Sequence, residues 1–142
     1  MTKKRFAGLV CAGAVTLLGV RFVQAQQGPT PSPSYDLVVY GGTAGGVVTA
    51  VAAAREGLTV ALVEPGRHLG GMVSGGLGWT DYGRKEVIGG YSLEFFERVG
   101  KQYGEPAAAW HFEPHVAEGV FKEMAKEAGV AVFGCRTSSP LP

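Results

Sequence analysis

The sequence predicts an α/β fold with a parallel sheet, organised around one strand–helix–strand unit. Two short apolar runs, Asp36–Tyr40 and Leu58–Val63, bracket a stretch rich in Ala and Val. A glycine-rich turn, Gly41–Gly46, joins the first run to that stretch, and an acid, Glu64, follows the second run at once. Apolar runs of this length, punctuated by glycine, are the mark of parallel strands covered on both faces.

Each element can be justified in order. Asp36-Leu-Val-Val-Tyr40 carries β-branched residues and has the length of a buried strand. Val47–Arg55 has no breaker and reads as a buried helix with small residues toward the sheet. Gly57 is placed to close it. Leu58–Val63 is the second buried strand. Ser92–Tyr103 is predicted as an amphipathic helix with Leu93, Phe96 and Val99 on one face. Pro114–Ala128 is predicted as another, with proline at its first position. Val116, Val120, Phe121 and Met124 would point inward there, and Glu118, Lys122, Glu123, Lys126 and Glu127 outward. Gly129 ends it, and Val130–Phe133 reads as a third strand.

Strand, glycine turn, helix, strand and terminal acid fall in the order of a Rossmann-like βαβ unit that binds a dinucleotide. The acid follows the turn by about 20 residues, as that unit requires. Gly41 permits the tight turn out of the strand, and small residues at 42–45 let the backbone approach a pyrophosphate. Gly46 allows close helix–strand packing. The helix N-terminus offers free N–H groups and a partial positive charge to phosphates. Glu64 can accept hydrogen bonds from a ribose diol. One departure stands out: the middle glycine of G-x-G-x-x-G would fall at position 43, which is Thr. The plain alternative is a structural turn that holds no ligand.

The stretch after Glu64 separates FAD from NAD. Residues 65–78 form a long glycine loop with Arg67, His68 and a Gly70-Gly71 doublet, not the next helix of a simple NAD unit. Such a loop can lie along an extended cofactor without side-chain clashes. It favours FAD, while Glu64 suits either cofactor. His68 has two readings, a phosphate contact or a solvent-facing side chain. Trp79, Thr80, Asp81 and Tyr82 also have two: they line a flavin or substrate cavity, or they anchor a loop with Trp79 packed into the core. His111 and His115 have the spacing of a zinc pair. Pro114 starts its helix after His111, and Cys135 is the only further ligand in view, so no metal site is predicted.

Composition bounds the rest. Hydrophobic residues make up 46% and charged residues 18%, a globular balance rather than a disordered one. Lys3-Lys4-Arg5, the apolar run Phe6–Val20 and Val23-Gln24-Ala25 have the three-part form of a secretory signal peptide. The apolar run is short for a membrane span, and Arg21 interrupts it. Residues 1–25 are therefore expected to be removed on export. Gln26–Ser34 is a Pro/Ser-rich linker. The leader holds four of the 13 basic residues and none of the 12 acids, so the mature chain is mildly acidic. It has no basic stripe for nucleic acid. Cys135 alone cannot form an internal disulfide once Cys11 leaves with the leader.

The blocks DLVVYGGTAGGVVTAVAAAREGLTVALVEP, GRHLGGMVSGGLGWTDYG and WHFEPHVAEGVFKEMAKEAGV carry a likeness to a known family. Over residues 35 to about 133 the chain resembles the secreted, glycine-rich FAD-dependent oxidoreductases of the glutathione-reductase-like type. Thr at position 43 is itself typical of that family. The resemblance implies that Gly41, Gly42, Thr43, Ala44, Gly45 and Gly46 hold the FAD pyrophosphate and that Glu64 binds the adenosine ribose. It implies that Arg67 lies near ribose or phosphates, and that Gly70, Gly71 and Met72 run toward the flavin. It further implies hydride transfer at the flavin with a small-molecule substrate. The family continues well past the third strand, and Gly134–Pro142 matches nothing expected there. Residues 35–142 are thus expected to be the N-terminal part of an FAD-binding domain, incomplete and inactive or weak alone. No residue stands out as a catalytic acid or base, and neither substrate, electron acceptor nor oligomeric state can be read. Two other readings remain open, an NAD-dependent reductase domain and a non-catalytic nucleotide-binding module.

Overall fold

A computed structural model describes residues 33–134. The leader, the linker through residue 32, Cys11 and the tail from Cys135 lie outside the described residues. The elements are β1 (Leu37–Tyr40), α1 (Ala44–Arg55), β2 (Val60–Glu64), a short 3-10 turn (Lys85–Val87), α2 (Gly90–Gln102), α3 (Pro114–Glu127) and β3 (Ala131–Gly134). The strands form one parallel sheet in the order β1-β2-β3. Val39 pairs with Leu62, and Leu62 with Val132. The predicted α/β class and βαβ order hold.

The boundaries differ from expectation for local reasons. Helix α1 starts three residues early because Thr43 caps it: its Oγ1 accepts the Gly46 N–H at 3.1 Å. Strand β2 starts two residues late. Leu58 closes α1 by donating its N–H to the Ala53 carbonyl. Thr59 is clamped to Asp36, whose Oδ2 accepts the Thr59 N–H at 2.8 Å and its hydroxyl at 2.6 Å. Those bonds stabilise the charged carboxylate and lower the Asp36 pKa.

Helices α1 and α3 pack on one face of the sheet, and α2 packs on α3. The core joins Val47 and Val51 of α1, Val60 and Leu62 of β2, Phe95 and Val99 of α2, and Val120, Phe121 and Met124 of α3. Each such side chain, once buried, contributes about 1.5–3 kcal/mol. Phe95 stacks on Phe121 with ring centroids 4.4 Å apart, which adds about 0.5–1.5 kcal/mol beyond the area term. Phe95 was outside the predicted stripe. The stripe of α2 is rotated: Phe95, Val99 and Gly100 are buried, whereas Leu93 and Phe96 are half-buried. The rotation follows from Gly100, where a Cβ would collide with the Ala107 carbonyl oxygen. In α3, Ala117 and Ala125 join the core and Val116 is half-buried.

A second correction concerns β1. Its apolar run predicted burial on both faces, yet Val38 is 59% and Tyr40 76% exposed. All helix packing falls on the Leu37 and Val39 face, so the alternate residues have no cover among the described residues. On the outer side of the helices, Arg98 bonds Glu94 at 2.9 Å and Glu127 at 2.7 Å, while Arg55 of α1 reaches Glu94 at 2.7 Å. These pairs link the three helices. The two guanidiniums hold the Glu94 carboxyl down to about 2.

Candidate dinucleotide-binding site

The candidate residues converge where β1 and β2 end and α1 begins, the place at which open parallel sheets hold ligands. Gly41 leaves β1 with φ 100°, a conformation costly for any residue with a Cβ. Its N–H still donates to the Val63 carbonyl at 2.8 Å, so the turn begins while the ladder is intact. At Gly46 a Cβ would collide with the Gly41 carbonyl oxygen. At Gly42 it would come within 2.6 Å of Leu69 and 2.9 Å of Glu64. The turn is therefore packed down to bare backbone.

Thr43 occupies the slot of the middle glycine in the G-x-G-x-x-G pattern, and its role is visible. It sits in extended conformation and caps α1 through its hydroxyl. The first turn of α1 carries no acid to compete for an anion, and Gly45 is exposed there. The N–H groups at such a terminus attract phosphate oxygens.

Glu64 turns toward the same place. Oε2 accepts the Gly42 N–H at 2.5 Å, and Oε1 accepts the Gly66 N–H at 2.5 Å. Each carboxylate oxygen keeps a lone pair for another donor.

The glycine loop is tied to the turn and not draped loosely beside it. Gly70 donates its N–H to the Gly42 carbonyl at 2.7 Å, forming a parallel bridge between Thr43 and Gly70. A Cβ on Gly70 would come within 2.6 Å of Ser74 and 2.7 Å of Phe121. Met72 is 75% exposed. Arg67 is exposed and makes no ion pair among the described residues.

Sequence reasoning missed the residues that hold this loop. Leu69 is buried beneath it, and the buried Ser74 donates its hydroxyl to the Leu69 carbonyl at 2.5 Å. His68 contacts Glu118 at 2.9 Å, which fastens the loop to α3 and corrects the outward placement of Glu118. Lys122 lies on the other Glu118 oxygen at 2.8 Å. Burial works to raise the Glu118 pKa, but Lys122 and His68 outweigh it and the net shift is downward. An apolar residue set directly before the Gly70-Gly71 doublet was the available signal for Leu69. Nothing in the sequence pairs residues 68 and 118.

The loop after the glycines differs from one of its two readings. Trp79 is not in the core: it is 77% exposed and packs on His111 with centroids 4.0 Å apart. Asp81 is exposed, and Tyr82 packs on Trp110 at 5.2 Å. His111 precedes α3 and His115 lies within it. Among the described residues no three His, Cys, Asp or Glu gather to hold a metal, and no helix is long and apolar enough to cross a membrane.

A parallel βαβ unit with a stripped glycine turn, a capped helix N-terminus and a carboxylate at the second strand end defines a dinucleotide-binding domain. The sequence profile of the FAD dependent oxidoreductase family matches residues 36–137, and the chain belongs to that family. The cofactor is accordingly FAD, and the bare backbone turn fits its pyrophosphate. No curated protein matches the chain. Among solved structures, the chain is similar to THI4 from Thermovibrio ammonificans, at 18% identity and TM-score 0.43 over 92% of this chain and 48% of that one. It is also similar to L-amino acid deaminase from Proteus vulgaris, at 18% identity and TM-score 0.46 over 77% of this chain and 41% of that one. The chain thus spans less than half the length of each of these solved structures.

Proposed function

We propose that this chain supplies the adenosine-diphosphate half of the FAD site of a flavin-dependent oxidoreductase. The observation that carries the reading is the convergence of Glu64 and the α1 N-terminus on one glycine turn. Gly41, Gly42, Thr43, Ala44, Gly45 and Gly46 would face the pyrophosphate. Glu64 would accept the ribose hydroxyls through its remaining lone pairs. Arg67, with no carboxylate partner among the described residues, would pair with ribose or phosphate oxygens. Gly70, Gly71 and Met72 would lead toward the flavin, with the bond from Gly70 to Gly42 fixing their direction.

Bound FAD supplies two-electron redox chemistry by hydride transfer. The protein would bind and orient it through the glycine turn, Glu64 and the glycine loop. The glutathione-reductase-like assignment rests on the order βαβ, terminal acid and glycine loop. The substrate is a small molecule of unassigned class. Residues 35–142 would form the N-terminal part of the FAD-binding domain, following a linker at 26–34. The basic, apolar and small-residue segments of residues 1–25 support export through a cleaved signal peptide.

Titration of the full chain with FAD, followed by quenching of flavin fluorescence, tests the cofactor reading. Competition by ADP and no competition by nicotinamide mononucleotide is the expected result. Tighter binding of NAD than of FAD would favour the NAD-dependent alternative. N-terminal sequencing of protein from the extracytoplasmic fraction tests export, with Gln26 expected first.

A further inference from the structure

A second cleft opens at the end of the glycine loop, with Gly76 and Gly78 in its lining, and contains none of the residues assigned to the cofactor. Its volume is about 780 Å³, and its walls include Trp79, Tyr103, Glu105, Trp110, His111 and Glu113. The walls are held by backbone. Thr80 donates its N–H to the Trp110 carbonyl at 3.2 Å, and Phe112 donates to the Gly78 carbonyl at 3.0 Å. A Cβ on Gly78 would collide with the Phe112 carbonyl oxygen, so the two segments lie in direct contact. Ala109 donates to the Phe96 carbonyl at 3.0 Å, which fastens the same wall to α2.

Three features set the chemistry of this cleft. First, the Trp79 indole rests on His111 and otherwise stands open to the cleft and to water. Second, the Glu113 carboxylate is oriented. It accepts the Tyr103 hydroxyl, and the Glu113 N–H donates to the Tyr103 oxygen at 3.1 Å. Third, the charged side chains that line the cleft are the acids Glu105 and Glu113, and neither makes an ion pair among the described residues. The nearby cation Lys85 is outside the lining, held over the Tyr82 ring at 4.2 Å and the Trp110 ring at 5.6 Å. The described residues place no set of three metal ligands there. An open indole face beside carboxylates suits an organic cation, whose charge meets both the ring quadrupole and the carboxylates. An anion is repelled, and a neutral apolar molecule gains nothing from the two acids.

We propose that this cleft binds an organic ammonium ion, a quaternary or protonated amine head group, against Trp79 with Glu113 as its counter-ion. The site uses none of the residues assigned to the cofactor, so its binding is read without FAD.

The chain has two tryptophans, and both line the cleft, so intrinsic fluorescence reads the site directly. The full chain is titrated with choline chloride against sodium chloride at equal ionic strength. A saturable fluorescence change is expected. The uncharged carbon isostere of choline should bind at least about tenfold more weakly. Trp79→Ala, read through Trp110, should weaken choline at least about tenfold, and Glu113→Gln about threefold. Trp79→Phe keeps an aromatic face and should stay within about threefold of the natural chain, which separates loss of the ring from loss of the fold. The proposal is overturned by any of three results: no saturable change with choline, equal binding of the isostere, or a folded Trp79→Ala chain that binds choline normally.

Discussion

Glu64 grips Gly42: its Oε2 accepts the Gly42 N–H at 2.5 Å, and Oε1 holds the Gly66 N–H at the same distance. The acid at the end of β2 therefore locks both the turn after β1 and the start of the glycine loop. Glu64→Gln puts an amide N–H against one of these donors. It should cost about 1.5–3 kcal/mol of stability, the range for hydrogen bonds to a charged group. Urea unfolding measures the loss, and ADP affinity should fall with it. An unchanged midpoint would show that the two bonds contribute nothing.

Gly46 touches the Gly41 carbonyl with its Cα hydrogens alone, because a Cβ would overlap that oxygen. Gly46→Ala must push α1 away from β1 or open the turn. A loss of about 1–3 kcal/mol is expected from the overpacking. Gly45→Ala is the control, since its Cβ would meet no atom closer than 4.0 Å. If the two variants unfold at the same urea concentration, the close contact is not a constraint.

Thr43 caps α1 through its hydroxyl at 3.1 Å from the Gly46 nitrogen. Thr43→Val keeps the shape and removes the acceptor, and should cost about 1 kcal/mol. Thr43→Ser restores the hydroxyl and should recover most of that. A Thr43→Val chain as stable as the natural one would remove the cap from the account.

Glu94 carries the pH dependence. Arg55 and Arg98 lower its pKa from 4.5 to about 2 in the folded chain. A depressed pKa gives stability that is present above the unfolded value and lost as pH falls toward the folded one. Glu94 should therefore stabilise the chain fully above about pH 4.5 and progressively less down to about pH 2. Solvent screening limits the gain to about 1 kcal/mol. Comparing urea midpoints of the natural chain and Glu94→Gln at pH 7 and pH 3 measures it. The gap should shrink on acidification, and a constant or widening gap would contradict the assignment.

The order of strand, glycine turn, helix, strand and acid was set by the sequence alone. Continuous apolar runs have few homes other than a parallel sheet, and glycines at fixed spacing have a steric reason that survives any tertiary context. Thr43 departed from the glycine pattern, yet a hydroxyl residue just before a helix is a cap wherever it occurs. Trp79, the rotated stripe of α2 and the exposed face of β1 were different matters. Each depends on what lies opposite in space. The α2 stripe turned because Ala107 closes on Gly100, and Val38 stands exposed because both sheet-packing helices chose the other face. The contact of His68 with Glu118 joins residues 50 apart. Local pattern encodes backbone geometry and which residues can be buried. Only the packed chain decides which side of each element is covered, and which distant charges come within reach.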